Sequence, residues 1–103
     1  MVSYIALVKM TTKGRREITK SLGRGAIVDR RLEKIGVKRT GYAPVIGAFD
    51  CLLYFDAPSE VAMGQALMEL GRLGAVETNT LTVIPPAEYE RMLEEMAEDE
   101  LDS

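Results

Sequence analysis

The pattern of apolar positions predicts four strands along this chain. Segments 3–10 and 51–56 are apolar at both alternating positions, which is typical of strands covered on both faces of a sheet. Segment 76–84 alternates threonines with apolar residues, and segment 37–46 is a weaker strand that contains Pro44. Because proline lacks the N–H that a strand ladder needs, we expect segment 37–46 at a sheet edge or with a bulge.

Helical periodicity predicts a long first helix over residues 13–35. Thr11 and Thr12 are N-cap candidates, because their hydroxyls can accept hydrogen bonds from the unpaired backbone N–H groups of a first turn. Gly36 can end the helix in a left-handed C-cap. The segment Gly23-Arg24-Gly25 lowers the helix propensity, so we expect a kink or a break there.

The two sides of this helix differ in polarity when its residues are placed at about 100° per residue. The apolar side, which we expect to cover the sheet, comprises Ile18, Leu22, Gly25, Val28, Leu32 and Ile35. The basic side comprises Lys13, Arg16, Lys20, Arg24, Arg31 and Lys34, and is most simply a solvated face. Asp29 falls on the apolar side, where we expect it at the edge of the stripe or paired with a neighbour such as Arg30.

Two further helices complete the chain. The second begins near Ser59 and ends at Gly71, and a terminal helix covers residues 88–96. We expect one domain over residues 1–97, followed by an acidic, frayed tail over residues 98–103.

The order of these elements, β-α-β-β-α-β-α, predicts an α+β fold of the ferredoxin-like type, with the βαββαβ core and an extra C-terminal helix. Two right-handed βαβ units joined by a hairpin give an antiparallel sheet of order 4-1-3-2 with both crossover helices on one face. The two segments that are apolar at both positions are the first and third strands, which are central in this order. Pro44 lies in the second, at an edge.

The open face of this sheet would also be apolar, because strands 1 and 3 place apolar side chains on both faces. An uncovered patch of that size is unusual for a soluble monomer. Either a second subunit or the terminal helix must cover it. We prefer a dimeric α+β barrel, in which the sheets of two subunits face each other.

The segment Gly47-Ala48-Phe49-Asp50 predicts the hairpin turn between strands 2 and 3. Gly47 can adopt a positive φ without steric cost, and the Asp50 carboxylate can accept backbone N–H groups. The topology places this turn at the same end of the sheet as Lys13. We therefore expect Asp50 at the N-terminus of the first helix, where a carboxylate would offset the basic first turn.

Composition indicates a soluble globular protein, with 47% hydrophobic and 28% charged residues. No apolar run approaches the roughly 20 residues of a membrane span, and the segment from Met1 to Tyr4 lacks the basic start of a signal peptide. The single cysteine, Cys51, excludes an internal disulfide and is typical of a reduced compartment. We therefore expect a cytoplasmic protein without a membrane partner.

Charge is distributed unevenly along the chain. Residues 1–49 contain 11 Lys and Arg against 3 Asp and Glu, whereas residues 50–103 contain 2 against 13. A basic element could pair with an acidic one, within a subunit or between subunits, or both could be solvated faces, and both interpretations stay open. The net charge of −3 argues against general binding of nucleic acids.

The chain resembles the GYD domain family in several separate segments. These are Thr12-Lys13-Gly14, Lys34-Ile35-Gly36, Gly47-Ala48-Phe49-Asp50, Ala57-Pro58, and LGRLGAVETNTL at positions 70–81. The motif that names the family has a tyrosine before the aspartate, whereas this chain has Phe49 and so lacks a phenol hydroxyl there. The resemblance implies a dimeric α+β barrel and a family whose function is uncharacterised.

The residue types limit the chemistry of a site. The chain has no histidine and one cysteine, which excludes a Ser-His or Cys-His nucleophilic pair and a zinc site rich in histidine or cysteine. We expect no metal and no cofactor, and we expect Cys51 in the core. The candidate ligand or motif residues are Thr12, Lys13, Gly14, Gly47, Phe49, Asp50, Tyr4, Tyr42 and Tyr54. The three tyrosines could line a cavity between facing sheets or belong to the core.

These observations favour binding over catalysis. We expect a homo-oligomeric domain that binds a small molecule or a protein partner. One alternative is a small cofactor-free enzyme, of monooxygenase or isomerase type, that uses tyrosine and aspartate as acid and base in the barrel cavity. Another is a purely structural oligomer.

Overall fold

The computed structural model describes residues 1–101. The strands are β1 (Val2–Met10), β2 (Lys38–Pro44), β3 (Cys51–Ala57) and β4 (Val76–Thr82). The helices are α1 (Thr12–Arg16), α2 (Ser21–Lys34), α3 (Glu60–Gly71) and α4 (Pro86–Leu101), with a short 3₁₀ helix, Ile18–Lys20, between α1 and α2. Helix α4 extends beyond the predicted 88–96 and includes residues 98–101 of the predicted tail; residues 102 and 103 lie outside the described residues.

The sheet confirms the predicted ferredoxin-like α+β fold. Its strand order is β2-β3-β1-β4, which is the predicted order counted from the other edge, and every pairing is antiparallel. The central strand β1 places Tyr4 opposite Phe55 of β3 and opposite Thr82 of β4. Tyr4 and every second residue from it along β1 face the crossover helices. The residues between them belong to the open face of the sheet.

Helices α2 and α3 cover one face of the sheet, and the core lies beneath them. Its largest fully buried side chains are Phe55, Leu32, Met63 and Val37. Helix α2 ends at the predicted C-cap, where Gly36 adopts a φ of 77°. The Val37 N–H donates to the Leu32 carbonyl at 3.0 Å, which closes the last turn and brings the chain directly into β2.

The predicted first helix is divided, but not where we expected. Gly23 and Gly25 are helical, and the break lies earlier, at Glu17 and the 3₁₀ helix. The reason is a tertiary contact, because the Gly14 backbone packs against the Ala75 carbonyl and fixes the direction of α1 before the chain can cross the sheet. The Glu17 carboxylate then bridges the break by pairing with Arg24.

This division changes which residues are buried. The predicted apolar side is confirmed for Val28 and Leu32, which are 6% and 1% exposed. It is wrong for Ile18 and Leu22, which are 53% and 87% exposed. The first half of α2 therefore does not close on the sheet.

Strand β2 is an edge strand, as Pro44 predicted, but its irregularity lies elsewhere. The register shifts between Arg39 and Gly41, so the bulge is at Thr40 and not at Pro44. The strand is also shorter than the predicted 37–46, and residues 45–50 form a hairpin loop closed by a 3.1 Å hydrogen bond from the Val45 N–H to the Asp50 carbonyl.

The open face of the sheet is apolar and is not covered by α4. Ile5 and Leu7 of β1 and Leu52 of β3 are half-buried there, and Leu81 of β4 is 49% exposed. Every side chain of α4 up to Asp99 is exposed, so this helix projects from the body, and the longest dimension of the chain reaches 60 Å. Within residues 1–101, no helix combines the length and the apolar character that a bilayer crossing requires.

Candidate functional site

A cavity of about 450 Å³ lies between the sheet and the first half of α2, and we call it the helix-side cavity. It exists because α2 approaches the sheet closely at Val28 and Leu32 but stands away from it at Leu22. Its walls come from β1, β2, β3, α1, α2, α3 and the start of β4. They comprise Val8, Met10, Gly14, Ser21, Leu22, Arg24, Gly25, Ala26, Val28, Asp29, Arg39, Tyr42, Pro44, Asp50, Cys51, Leu53, Phe55, Leu70, Leu73, Ala75 and Val76.

An ion pair forms part of the wall on the side of β2. The Asp29 carboxylate accepts two hydrogen bonds from the Arg39 guanidinium, at 3.0 Å from Nε and 2.7 Å from an Nη atom. These bonds raise the pKa of Arg39 above its ordinary value, so its charge is fixed. The same guanidinium lies 5.3 Å from the centre of the Tyr42 ring, a cation–π distance.

The bulge at Thr40 makes this arrangement possible. In a regular strand, Arg39 and Tyr42 would point to opposite faces, because side chains alternate. The extra residue shifts the register, so that Arg39 pairs with Phe55 and Tyr42 with Leu53, which are both on the helix side. One feature of the sequence indicated this pair, namely the position of Asp29 on the apolar side of α2. The prediction that Asp29 pairs with Arg30 is wrong, because its partner is Arg39. The regular alternation of β2 did not predict that Arg39 and Tyr42 share the helix side.

Asp50 lies at the end of the cavity, where the hairpin meets β1. Its Oδ2 accepts a 2.7 Å hydrogen bond from the Met10 N–H, and its own N–H donates to the Val8 carbonyl at 2.8 Å. Asp50 lies near the start of α1, as expected, but it does not cap that helix. That its carboxylate offsets the basic first turn stays a prediction. The first-turn N–H of Gly14 is bonded by the Thr11 hydroxyl at 3.2 Å, so Thr11 caps α1 and Asp50 fixes the end of β1.

Cys51 follows Asp50 and is half-buried in the cavity wall. Burial raises the pKa of its thiol above the ordinary value and outweighs the Ala43 backbone hydrogen bond and the Arg39 charge, which lower it. The thiol therefore stays mostly protonated near neutral pH and reacts slowly with thiol reagents. The expectation of a core cysteine is met only in part, because one side of Cys51 faces the cavity.

Of the predicted residues Thr12, Lys13 and Gly14, the last two contact the loop before β4. The Lys13 ammonium donates to the Leu73 carbonyl at 2.9 Å, whereas Thr12 is exposed. Gly14 is buried so closely that an added Cβ would stand 2.1 Å from the Ala75 carbonyl oxygen. Two segments of the family resemblance, 12–14 and 70–81, are thus packed against each other.

The structure does not assemble the three candidate tyrosines into one site. Tyr4 is buried under α3, and burial and the Glu60 carboxylate raise the pKa of its phenol. Tyr54 is half-buried on the open face, opposite Ile5, and Tyr42 lines the helix-side cavity. Gly47, with a φ of 143°, and Phe49 lie in the hairpin loop. Of the nine predicted residues, the cavity wall includes Gly14, Tyr42 and Asp50.

The arrangement is suited to binding. The wall is mostly apolar, and its charged groups already have partners within the chain. In the part of the chain that the structure describes, no three His, Cys, Asp or Glu side chains come together as ligands for a metal ion.

Comparison with known proteins supports the family resemblance that was found in the sequence. The family model described as the GYD domain matches residues 4–93, which include β1 from Tyr4 onward, the other three strands, α1, α2, α3 and the first half of α4. The chain is also similar to a protein of Thermus thermophilus named "Glutamine synthetase and cystathionine beta-lyase binding protein". The two are 29% identical over 89 residues, which cover 85% of this chain and 94% of the relative. The chain therefore belongs to the GYD domain family.

Proposed function

We propose that this chain is a non-enzymatic, cytoplasmic, homo-oligomeric domain that binds a protein partner. The observation that carries the proposal is the extent of apolar surface left uncovered on the single chain, on the open sheet face and along α4. Soluble monomers rarely expose patches of this size unless the patches bind something. The name of the Thermus relative, which describes it as a binding protein for two enzymes, supports a protein as the partner.

A second copy of the chain is the occupant we propose for the open sheet face. The face is built from the central strands β1 and β3, where Ile5 lies opposite Tyr54 and Leu7 opposite Leu52. Two such faces, related by a two-fold axis, would present the same apolar residues to each other. The product would be the dimeric α+β barrel expected from the sequence.

Helix α4 is the surface we propose for the protein partner. Its apolar residues Tyr89, Met92, Leu93 and Met96 are between 43% and 63% exposed, and their spacing places them on one stripe. Acidic residues flank the stripe on both sides and include Glu88, Glu90, Glu94, Glu95 and Asp99. An amphipathic helix of this kind binds in an apolar groove, and the flanks favour a groove with a basic rim.

Three variants test these assignments separately. Leu52→Lys places a charge in the centre of the open face and should convert a dimer at micromolar concentration into an 11 kDa species in sedimentation experiments. Met92→Glu combined with Met96→Glu should leave the dimer intact and abolish partner binding. The matched control is Arg91→Glu, which adds negative charge to the other side of α4.

The first partners to measure are purified glutamine synthetase and cystathionine beta-lyase from the same organism as this chain, by calorimetry or surface plasmon resonance. A parent protein that sediments only as a monomer would contradict the self-association. Loss of the dimer in the Met92/Met96 double variant would assign α4 to the subunit interface and overturn its role in partner binding.

The enzymatic alternative has no specific support in the site. It requires tyrosine and aspartate to act together between the facing sheets. Tyr54 is on that face, but Asp50 is at the end of the sheet with its carboxylate bonded to the Met10 N–H.

A dimer that binds neither enzyme in the experiments above would favour the purely structural oligomer.

A further inference from the structure

We propose that the helix-side cavity binds a compact, uncharged and largely apolar small molecule. This site is on the helix side of the sheet, opposite the surface proposed for self-association and separate from α4. It is therefore a second binding function, independent of the proposed protein partner.

The size of the cavity is the first reason. Protein interiors are packed as closely as organic crystals and contain few voids larger than a water molecule. The helix-side cavity is not an interior void of that kind, because it opens to solvent beside Leu22. Its volume of about 450 Å³ falls within the ordinary range of ligand pockets. Leu22, at its opening, is 87% exposed and would gain apolar contact from an occupant.

The wall determines the chemistry of the occupant. Apolar side chains from both layers of the fold meet there, among them Val8 and Phe55 of the sheet, Val28 of α2 and Leu70 of α3. Such a wall gains free energy by contact with an apolar molecule, at roughly 25 cal/mol for each Å² of apolar surface removed from water.

The charged groups of the wall argue against a charged ligand. Arg24 is paired with Glu17, Arg39 with Asp29, and the Asp50 carboxylate is bonded to the Met10 N–H. A carboxylate or an ammonium group would have to break one of these interactions to find its own partner, and breaking a partly buried pair is costly. The Tyr42 hydroxyl can offer a hydrogen bond to one neutral polar atom of the ligand.

Helix α2 contains a matched pair of glycines that can test the site. A Cβ added at either Gly23 or Gly25 would meet no atom within 4 Å, but only Gly25 lines the cavity. Leucine at either position changes the helix propensity equally. Only Gly25→Leu, therefore, places a side chain in the cavity, and Gly23→Leu is its control.

The experiment is a fluorescence titration with the uncharged dye prodan, carried out on the whole chain. The parent and Gly23→Leu should bind the dye saturably with dissociation constants within about twofold of each other, and Gly25→Leu should bind it at least about tenfold more weakly. If Gly25→Leu does not fold by circular dichroism, Val8→Phe fills the cavity from the sheet side and replaces it.

Cys51 gives an independent measurement of location. Saturating prodan should slow the alkylation of the Cys51 thiol by N-ethylmaleimide in the parent and in Gly23→Leu, because the thiol lines the same cavity. Absence of saturable binding, equal binding by the two glycine variants, or alkylation that prodan does not slow would each overturn the proposal. Dye binding that survives Leu52→Lys separates this site from the open face, whereas loss of binding in that variant places the dye there and overturns the cavity site.

Discussion

Asp29 of α2 and Arg39 of β2 form a two-point ion pair that joins the first crossover helix to the edge strand, with donor–acceptor distances of 3.0 Å and 2.7 Å. Both side chains are about one-third exposed, at 33% and 29%. Edge strands have a neighbour on one side only, so a side-chain contact from the covering helix adds a constraint that the ladder does not provide. Because the pair is also part of the cavity wall, it links the position of α2 to the shape of the cavity.

We expect Asp29→Ala to lower the free energy of unfolding by about 1 kcal/mol, since a partly exposed two-point pair is worth more than an exposed one and less than a buried one. The loss should shrink in 1 M salt. Urea titration measures both effects, and Arg30→Ala, on the exposed neighbour of Asp29, is the control with no expected change. Equal losses in the two variants would show that the pair contributes nothing specific.

Asp50 should stabilise the fold through the Met10 N–H that it accepts at 2.7 Å. Asp50→Asn keeps an acceptor at this position and should cost less than Asp50→Ala. The alanine variant should lose about 1–3 kcal/mol of unfolding free energy, which is the range for an orphaned donor and a lost charge-assisted bond. Urea titration of both variants decides this, and an Asp50→Ala variant as stable as the parent would contradict it.

Gly14 should not tolerate a side chain. An added Cβ would lie 2.1 Å from the backbone oxygen of Ala75, so Gly14→Ala should separate α1 from the loop before β4 and cost about 2 kcal/mol or more. Gly23→Ala, in the open part of α2, should instead stabilise the chain by up to about 1 kcal/mol through its helix propensity. Thermal unfolding of the two variants should therefore move in opposite directions; a common direction would refute the packing argument.

Thr80 of β4 has a buried hydroxyl for which the described residues provide no hydrogen-bond partner. Burying an unpaired hydroxyl is unfavourable, so the similarly shaped Thr80→Val should raise the free energy of unfolding by about 1 kcal/mol. Thr82→Val, at an exposed position on the same face of the same strand, should change it little. Chemical denaturation of both proteins provides the measurement, and destabilisation by Thr80→Val alone would indicate that its hydroxyl does have a partner.

Stability should decrease at alkaline pH through Cys51, because burial raises the pKa of this thiol in the folded chain. A group whose pKa is higher in the folded state stabilises the fold fully below its unfolded pKa of about 8.5, and loses that contribution as the pH rises through the folded value. Unfolding free energies of the parent should therefore fall from about pH 8.5 upward. Cys51→Ala should show a flatter decline up to about pH 10, above which the raised pKa of Tyr4 adds a similar loss. Parallel pH profiles for the two proteins would count against this assignment.

The sequence was sufficient to predict the sheet. Strands with apolar residues at both positions are typically central, and Pro44 indicated an edge strand or a bulge. The order of the strands therefore followed from local patterns and general topology rules. The caps at Thr11 and Gly36 could also be predicted, because capping depends on neighbours within a few residues along the chain.

The cavity and its ion pair depend on features that no local pattern contains. The break after α1 follows from the contact between Gly14 and Ala75, which are distant in the sequence, and this break is what leaves α2 standing away from the sheet. The bulge at Thr40 shifts the register by one residue and moves Tyr42 to the helix side. A one-residue shift reverses every later side chain in a strand, so the residues of the cavity wall could not be derived from local patterns.

Because α4 projects from the body, its rate of hydrogen exchange should report whether a partner is bound. Its 16 residues are near the length at which an isolated helix is only marginally stable in water, and the radius of gyration of the chain, 17.2 Å, exceeds the roughly 13 Å of a compact domain of this size. Amide hydrogens of α4 should therefore exchange rapidly in a free chain, while those of β1 are protected by two neighbouring strands. When a partner encloses the stripe, α4 should become protected without any change in β1, so the two segments report binding and folding as separate events.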